Sequence, residues 1–181
     1  MPEIAFTRGI LTADFFTHSY RISGRVGIGA SGIYGILGDA TTAYMELEDA
    51  YVSRINDPAK IVAHYALSAL RKDRISFIVL NRREEGVSVV RAPTRYTQTK
   101  TYPVFATVPF FEIRGKIDVL GKLDTLTNVL VQGMGRFFPI FEATASASLF
   151  PDVGFSGEAI VVNKDSVEIF CATGAAGDTI T

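Results

Sequence analysis

Three glycines, Gly27, Gly29 and Gly32, form the stretch of this sequence that most closely matches a known binding chemistry. They spell G-x-G-x-x-G after a predicted strand, with acidic residues at 46–49, about 20 residues further on. In a dinucleotide-binding fold, such glycines form a tight turn that brings backbone N–H groups to a pyrophosphate. The preceding strand alternates polar with apolar residues, however, whereas strands of that fold are covered on both faces. A glycine-rich connection therefore explains the motif better than a nucleotide or flavin site, and no cofactor is expected.

The other residue types that carry chemistry form no recognisable constellation. Glu46 and Glu48 project from one strand face, where two carboxylates can serve acid–base work or a hard cation, but a solvated face is the commoner reason for such a pair. His64 lies alone in a predicted helix, and a lone His is more often a surface or packing residue than a ligand. Cys171 is the single cysteine, which excludes an internal disulfide, and its place in a strand predicts that it is buried and unreactive. We expect no catalytic residue and no metal site.

A basic segment at 71–100 is the main asymmetry in charge. It contains eight cations and three anions, which gives +5, in a chain whose formal net charge is −1. The phosphate-binding hypothesis depends on four arginines beside Tyr96 and Tyr102: Arg82, Arg83, Arg91 and Arg95. A solvated turn and linker explain these charges better, since dedicated nucleic-acid binders are usually basic overall. The segment could instead meet the acidic remainder of a neighbouring copy, which is a self-association hypothesis.

The elements that must position these residues occur twice along the chain. The sequence ISGRVGI at 22–28 matches IRGKIDV at 113–119, and IVLNR at 78–82 matches IVVNK at 160–164. A third, weaker match relates residues 47–48 to 141–142. Three matches in the same order predict a tandem repeat, with copy one at 16–90, a linker at 91–109 and copy two at 110–171. The sequence leaves open whether the linker is a strand or a tether.

Each copy is predicted to contain a strand, a short helix, a second strand and a hairpin. The helix candidates are 31–37 and 124–133, and the hairpins begin with the apolar strands at 75–80 and 160–163. In copy one the alternation of the second strand places Asp49 on the apolar face. Either a bulge after Glu48 shifts the phase, which is the favoured explanation, or Asp49 faces a polar interior.

Copy one also carries an apparent insertion at 58–70, where the apolar spacing predicts an amphipathic helix and copy two has a short loop at 151–157. The resulting expectation is an α+β fold with a mostly antiparallel, barrel-like sheet and pseudo-two-fold symmetry, in which both copies share one core.

The hairpin sequences Ile78 to Arg82 and Ile160 to Lys164 resemble small bacterial domains of uncharacterised function that occur singly and in tandem. The resemblance implies no activity and supplies no functional residues.

Composition supports a folded, non-membrane protein. The chain has 181 residues, of which 48% are hydrophobic and 20% charged, so it can bury a substantial core. It lacks an apolar stretch long enough to span a bilayer and lacks a signal-peptide pattern, and the single cysteine fits a reducing compartment, so the expected location is the cytoplasm.

The predicted function is a non-catalytic binding or assembly module that associates with itself, because 13 Phe and 7 Tyr are many for so short a chain to bury alone. The alternatives are a nucleotide- or flavin-using enzyme at 27–32 and a weak polyanion or nucleic-acid binder at 71–100.

Overall fold

The computed structural model describes residues 9–87, 99–120, 130 and 135–173. These residues contain ten strands and one seven-residue α-helix, α1 (Gly32–Gly38). The strands are β1 (Gly9–Phe16), β2 (Tyr20–Ile28), β3 (Tyr44–Arg54), β4 (Asp57–Arg71), β5 (Phe77–Leu80), β6 (Thr99–Val108), β7 (Phe111–Leu120), β8 (Phe137–Ala147), β9 (Phe150–Asn163) and β10 (Ile169–Ala172). In the part of the chain described, no helix has the length and apolar character needed to cross a membrane.

All ten strands belong to a single open antiparallel sheet in the order β10-β6-β7-β8-β9-β5-β1-β2-β3-β4. The α+β expectation is therefore wrong, because the protein is β-rich, and the sheet does not close into a barrel. One misread segment and one segment whose conformation was left open account for the difference. The presumed helical insertion at 58–70 lies within strand β4, and the presumed linker at 91–109 contains strand β6 at Thr99–Val108. Residues 91–98 lie outside the described residues, as does the helix predicted for 124–133 except for residue 130.

Strand β4 shows why helical spacing misled the prediction. Its apolar residues Ile61, Val62 and Tyr65 fit a helical stripe, but β-branched and aromatic side chains also favour strands. Strand β4 pairs with β3 over a long stretch, from the pair of Arg71 and Tyr44 to the pair of Ala63 and Val52. This long antiparallel ladder outweighs the weak local preference for a helix.

The sheet consists of two halves with the same order of strands. The first half, β1 to β5, has the order β5-β1-β2-β3-β4, and the second half, β6 to β10, has the order β10-β6-β7-β8-β9. Strands β5 and β9 join the halves. The expected pseudo-two-fold arrangement needs correction, because a simple two-fold axis at the joint would reverse the order of strands. Here the order repeats head to tail, while strand direction reverses from one half to the next.

Two apolar cores lie on opposite faces of the strands at the joint. Along β5, Phe77 and Val79 pack into the core of the second half, whereas Ile78 and Leu80 pack into that of the first half. Strand β5 is buried on both faces for this reason, as its uninterrupted apolar sequence predicts. Helix α1 covers the core of the first half with Ile33. The operation that relates the halves therefore exchanges the faces of the sheet, and it combines a half-turn with a displacement along the sheet.

The first sequence match falls on equivalent strands, β2 and β7. Both strands show a register shift around a glycine, at Gly24 in β2 and at Gly115 in β7. Opposite these glycines, Asp49 in β3 and Glu142 in β8 have positive φ angles of 48° and 47°. The bulge predicted after Glu48 is thus confirmed. The third sequence match aligned 47–48 with 141–142 and was wrong by one residue, because the positive-φ positions align 48–49 with 141–142.

The second sequence match joins strands that are neighbours and not equivalents. Residues 78–82 begin in β5 and residues 160–164 lie at the end of β9, and Ile78 pairs with Val161 across the joint. Both strands are buried on both faces, so they share an apolar pattern without sharing a position. The equivalent of β5 is β10, and the sequence signal for it is the Lys-Asp pair at 72–73 and again at 164–165, which begins a 3₁₀ turn in each half.

Candidate functional site

The glycine-rich loop at 27–32 has the geometry of a turn. The N–H of Gly32 donates to the carbonyl of Gly29 at 3.0 Å, and Gly32 alone of the three glycines has a positive φ, at 61°. A Cβ added at Gly27 or Gly29 would meet no atom within 4 Å. Strand β2 lies in an antiparallel sheet, whereas the dinucleotide-binding motif requires a parallel one. The N–H group that would face a phosphate is already bonded to the loop itself.

Three arginines of the basic segment form ion pairs among the described residues: Arg71 with Asp73, Arg82 with Glu85 and Arg83 with Asp118. Arg83 forms an ion pair with Asp118 at 2.5 Å, and its guanidinium lies 3.8 Å from the ring centroid of Phe141. Arg82 is exposed and lies 3.8 Å from a carboxylate oxygen of Glu85. The other two arginines of the phosphate-binding hypothesis, Arg91 and Arg95, are outside the described residues. Arg82 and Arg83 are thus each paired with a carboxylate of this chain, Arg82 at the exposed surface and Arg83 half-buried.

Lys72, which the sequence places in the same basic segment, is almost fully buried. Its Nζ donates to the carbonyls of Ile36 and Asp39 at 3.0 and 2.6 Å and to Oγ1 of Thr42 at 3.1 Å. These acceptors lie at and just beyond the C-terminal end of α1, where a helix leaves carbonyls without partners. Lys72 thus fixes α1 on the core of the first half, a role that charge counting cannot reveal.

A cluster of titratable groups lies at the bulge on strands β3 and β4. Asp49 is paired with Arg25 at 2.5 Å, and an oxygen of Asp49 lies 4.0 Å from Nε2 of His64. The His64 ring stacks on Tyr51 with centroids 4.1 Å apart. The imidazole–carboxylate distance exceeds a hydrogen bond, so Asp49 does not hold His64 in the orientation that general-base catalysis needs.

The two remaining carboxylates of interest, Glu46 and Glu48, lie exposed on the same strand, and the nearest cation to Glu48 is Arg25 at 3.6 Å. Among the residues that the structure describes, no three His, Cys, Asp or Glu side chains gather as a metal site would require.

A shallow cleft of about 340 Å³ lies where hairpin turns of the two halves meet. The residues that line it include His18, Arg54, Phe110 and Leu149. None of the residues that line it is a carboxylate, so the cleft offers no acid–base pair.

The two ends of the sheet are its most unusual surfaces. Strand β4 is the terminal strand at one end and has 15 residues, far longer than the short edge strands by which proteins usually avoid pairing. Residues 61–70 read IVAHYALSAL and contain no Lys, Arg, Asp or Glu. Four large apolar side chains on this strand are exposed: Ile61, Val62, Tyr65 and Leu67.

Strand β10 ends the sheet at the other side. It pairs with β6, and within the described residues it pairs with no second strand. Phe170 faces the core, whereas Ile169 and Cys171 point the other way and are exposed. The expectation that Cys171 is buried is therefore wrong, because only one face of this terminal strand is covered.

Comparison with known proteins gives no relative. No protein-family model matches the chain, and neither the curated proteins nor the solved structures contain a match. The resemblance to small bacterial domains stays a prediction. Function must therefore be argued from the surfaces themselves, of which the two sheet ends are the least consistent with an isolated monomer.

Proposed function

We propose that this protein is a non-catalytic assembly module that works by associating with further copies of itself through the ends of its sheet. The single observation that carries the proposal is β4, a 15-residue terminal strand with four large apolar side chains exposed. Its outer backbone groups, which pair with no strand among the described residues, form a template for another strand.

Backbone pairing and apolar burial would both stabilise a partner strand placed against β4. The neighbouring residues His64 and Tyr65, which pair in regular register with Tyr51 and Ala50, point to opposite faces of β4, and both are exposed, so the described residues cover neither face of this part of the strand completely. A partner strand would satisfy the edge N–H and C=O groups, and each large apolar side chain covered would contribute roughly 1.5–3 kcal/mol when fully buried. The absence of charge over 61–70 removes the repulsion with which edge strands usually reject partners.

Catalytic functions have less support from the geometry. The glycine loop bonds to itself, the carboxylate nearest to His64 is 4.0 Å away, and Arg83 is committed to Asp118. A nucleotide, a flavin or a polyanion would nevertheless be detected as a rise in Tm, because a ligand at 100 times its Kd stabilises a protein by about 2.7 kcal/mol.

The test is light scattering coupled to size-exclusion chromatography over a range of protein concentrations. A monomer has a mass of 19.7 kDa. We expect masses above this value at micromolar concentration, and we expect Leu67→Lys to return the protein to the monomer, since a charge on an edge strand opposes pairing. A wild-type protein that stays at the monomer mass up to about millimolar concentration, a range that corresponds to very weak association, would refute the proposal.

Leu149→Lys is the matched control. Leu67 and Leu149 are exposed to 64% and 66%, so the two substitutions remove equal amounts of exposed apolar surface and add the same charge. Leu149 lies in a hairpin turn that lines the cleft and is not part of β4. If Leu149→Lys disperses the oligomer and Leu67→Lys does not, the copies meet at the cleft and the role of the sheet ends is disproved.

A further inference from the structure

We infer that copies of this chain join head to tail, with β10 of one copy adding antiparallel to β4 of the next in a defined register. The inference rests on the proposed self-association and specifies its partner strands. Its basis is the joint between β9 and β5, where the chain already makes an interface of this kind between its own halves.

The free ends of the sheet are the counterparts of the two strands at that joint. Strand β4 holds the same place in the first half that β9 holds in the second, and β10 holds the place of β5. At the joint, β9 pairs with β5 of the other half. The outer edges of β4 and β10, which have no partner strand in the part of the chain that the structure describes, are thus the two surfaces of the same kind of joint.

The ladders fix which residues correspond. Phe15 pairs with Ile22 of β2, and Ala106 pairs with Ile113 of β7, the residue that matches Ile22 in the sequence repeat. On its other side, Phe15 pairs with Ile78, and Ala106 pairs with Phe170. Strand Ile169–Ala172 therefore corresponds, residue by residue, to Phe77–Leu80.

On the other strand, the residue before each positive-φ position provides the alignment. Glu48 pairs with Leu67, and Phe141 pairs with Ala159. Residues 67–70 of β4 therefore correspond to residues 159–162 of β9.

Transferring the pairs of the joint to the free ends gives the register between copies. At the joint, Phe77 to Leu80 pair in order with Val162 back to Ala159. The pairs predicted between copies are accordingly Ile169 with Leu70, Phe170 with Ala69, Cys171 with Ser68 and Ala172 with Leu67.

Exposure at the free ends is what this pairing would explain. At the joint, Phe77 and Ala159 are both 0% exposed because each packs against the core of the opposite half. Their counterparts Ile169 and Leu67 are exposed to 52% and 64%. Phe170, by contrast, faces the core of its own half and is buried. Within residues 67–70 and 169–172, the exposed side chains are thus the ones that a neighbouring copy would bury.

The relation between the halves also predicts the form of the assembly. Each step along the sheet displaces the next half and exchanges its faces, so repeating the step does not return to the start. Interfaces that join unlike surfaces without closing generate open chains. Oligomers should therefore grow with concentration and have no fixed size.

Cysteine cross-linking tests the register, using the natural Cys171 as one partner. In the variant Ser68→Cys, the two thiols of adjacent copies would face each other, and added diamide would accept the two electrons and two protons released as the disulfide forms. We expect a ladder of dimers, trimers and larger species on non-reducing gels, and its loss when Cys171 is also changed to Ser. A dimer that persists in the double variant Ser68→Cys, Cys171→Ser would show β4 pairing with β4 and would overturn the inference.

Ala69→Cys is the register control. Its side chain leaves the opposite face of β4 from that of residue 68, so it should give at least about tenfold less cross-linked product, since thiols whose Cβ vectors diverge cannot be bridged. Efficient cross-linking of Ala69→Cys with none from Ser68→Cys would show a register slipped by one residue and contradict the assignment. Concentration-dependent oligomers without any ladder from Ser68→Cys would leave self-association standing and disprove this joint, whereas a monomeric wild type would disprove both.

Discussion

The two bulge glycines, Gly24 and Gly115, hold equivalent places in the sheet but have very different surroundings. A Cβ on Gly115 would lie 2.6 Å from Cγ2 of Ile140 and 2.7 Å from the carbonyl oxygen of Phe141. A Cβ on Gly24 would have its nearest neighbour, the carbonyl oxygen of Glu48, at 3.4 Å, which is ordinary contact. Gly115→Ala must therefore displace backbone and core atoms, whereas Gly24→Ala fits with little adjustment.

We expect Gly115→Ala to lower the free energy of unfolding by about 1–3 kcal/mol, the usual cost of overpacking. Gly24→Ala should change it by less than about 1 kcal/mol, because any mild crowding is offset by the lower entropy of the unfolded chain. For a domain of this size the difference corresponds to roughly 2–4 °C in Tm per kcal/mol.

Equilibrium urea unfolding of both variants, followed by circular dichroism in the dispersed Leu67→Lys background, measures the difference without interference from association. The slope against urea must stay equal between variants for the comparison to hold. Equal stabilities for the two alanine variants, or a larger loss for Gly24→Ala, would refute the assignment of the tighter approach to the bulge of the second half.

Three further substitutions test individual interactions. Lys72→Met should cost about 2–4 kcal/mol in chemical unfolding, because it leaves the carbonyls at the end of α1 without their charged donor, while Lys100→Met, at an exposed site, should have little effect. The hydrogen bond and charge of Lys116 lower the pKa of Glu142 from its usual 4.5, so this pair stabilises the fold above that pH and its contribution is lost as the pH falls through the lowered pKa. Glu142→Gln should accordingly flatten the acid side of a Tm-against-pH curve, and an unchanged curve would contradict the pairing. Hydrogen bonds from Thr41 chiefly lower the pKa of Asp39, so Asp39→Asn should reduce Tm at neutral pH and have no effect at a pH below that lowered pKa, a pattern that a pH-independent loss would disprove.

Some parts of the fold could be predicted from the local pattern of polar and apolar residues because that pattern determines their conformation. The strand at 22–28 alternates, and the bulge at Asp49 was predicted from the conflict between a carboxylate and an apolar face. Helix α1 covers nearly the residues proposed for it, 31–37, although three of its seven residues are glycines.

Prediction from local pattern failed for segments whose conformation depends on the strand that pairs with them. Residues 58–70 have apolar spacing that suits a helix, and only the ladder with β3 makes them a strand. The strand at Thr99–Val108 includes Pro103 and lies in the linker whose conformation the sequence left open, and its pairing along its whole length with β7 decides that conformation. Cys171 was judged by its alternation with Val167 and Ile169, which shows that these residues share a face without showing which face is covered.

For the candidate site, too, the sequence shows the residue types, and the structure shows their surroundings. Lys72 and Arg83 look alike in a count of basic residues, yet one is buried at the end of a helix and the other is paired with Asp118. The free edges of β4 and β10 were not foreseen at all, since an edge is defined by the strand that is missing beside it.

By itself, the sequence determined that this chain folds around strands and that similar stretches occur in both parts of it, because alternation and glycine placement act between residues near one another in the chain. The order of the strands, the two opposed cores and the exposed ends were decided only by the tertiary structure. Those features depend on which distant segments pair, and the free energy of that pairing depends on residues far apart in sequence.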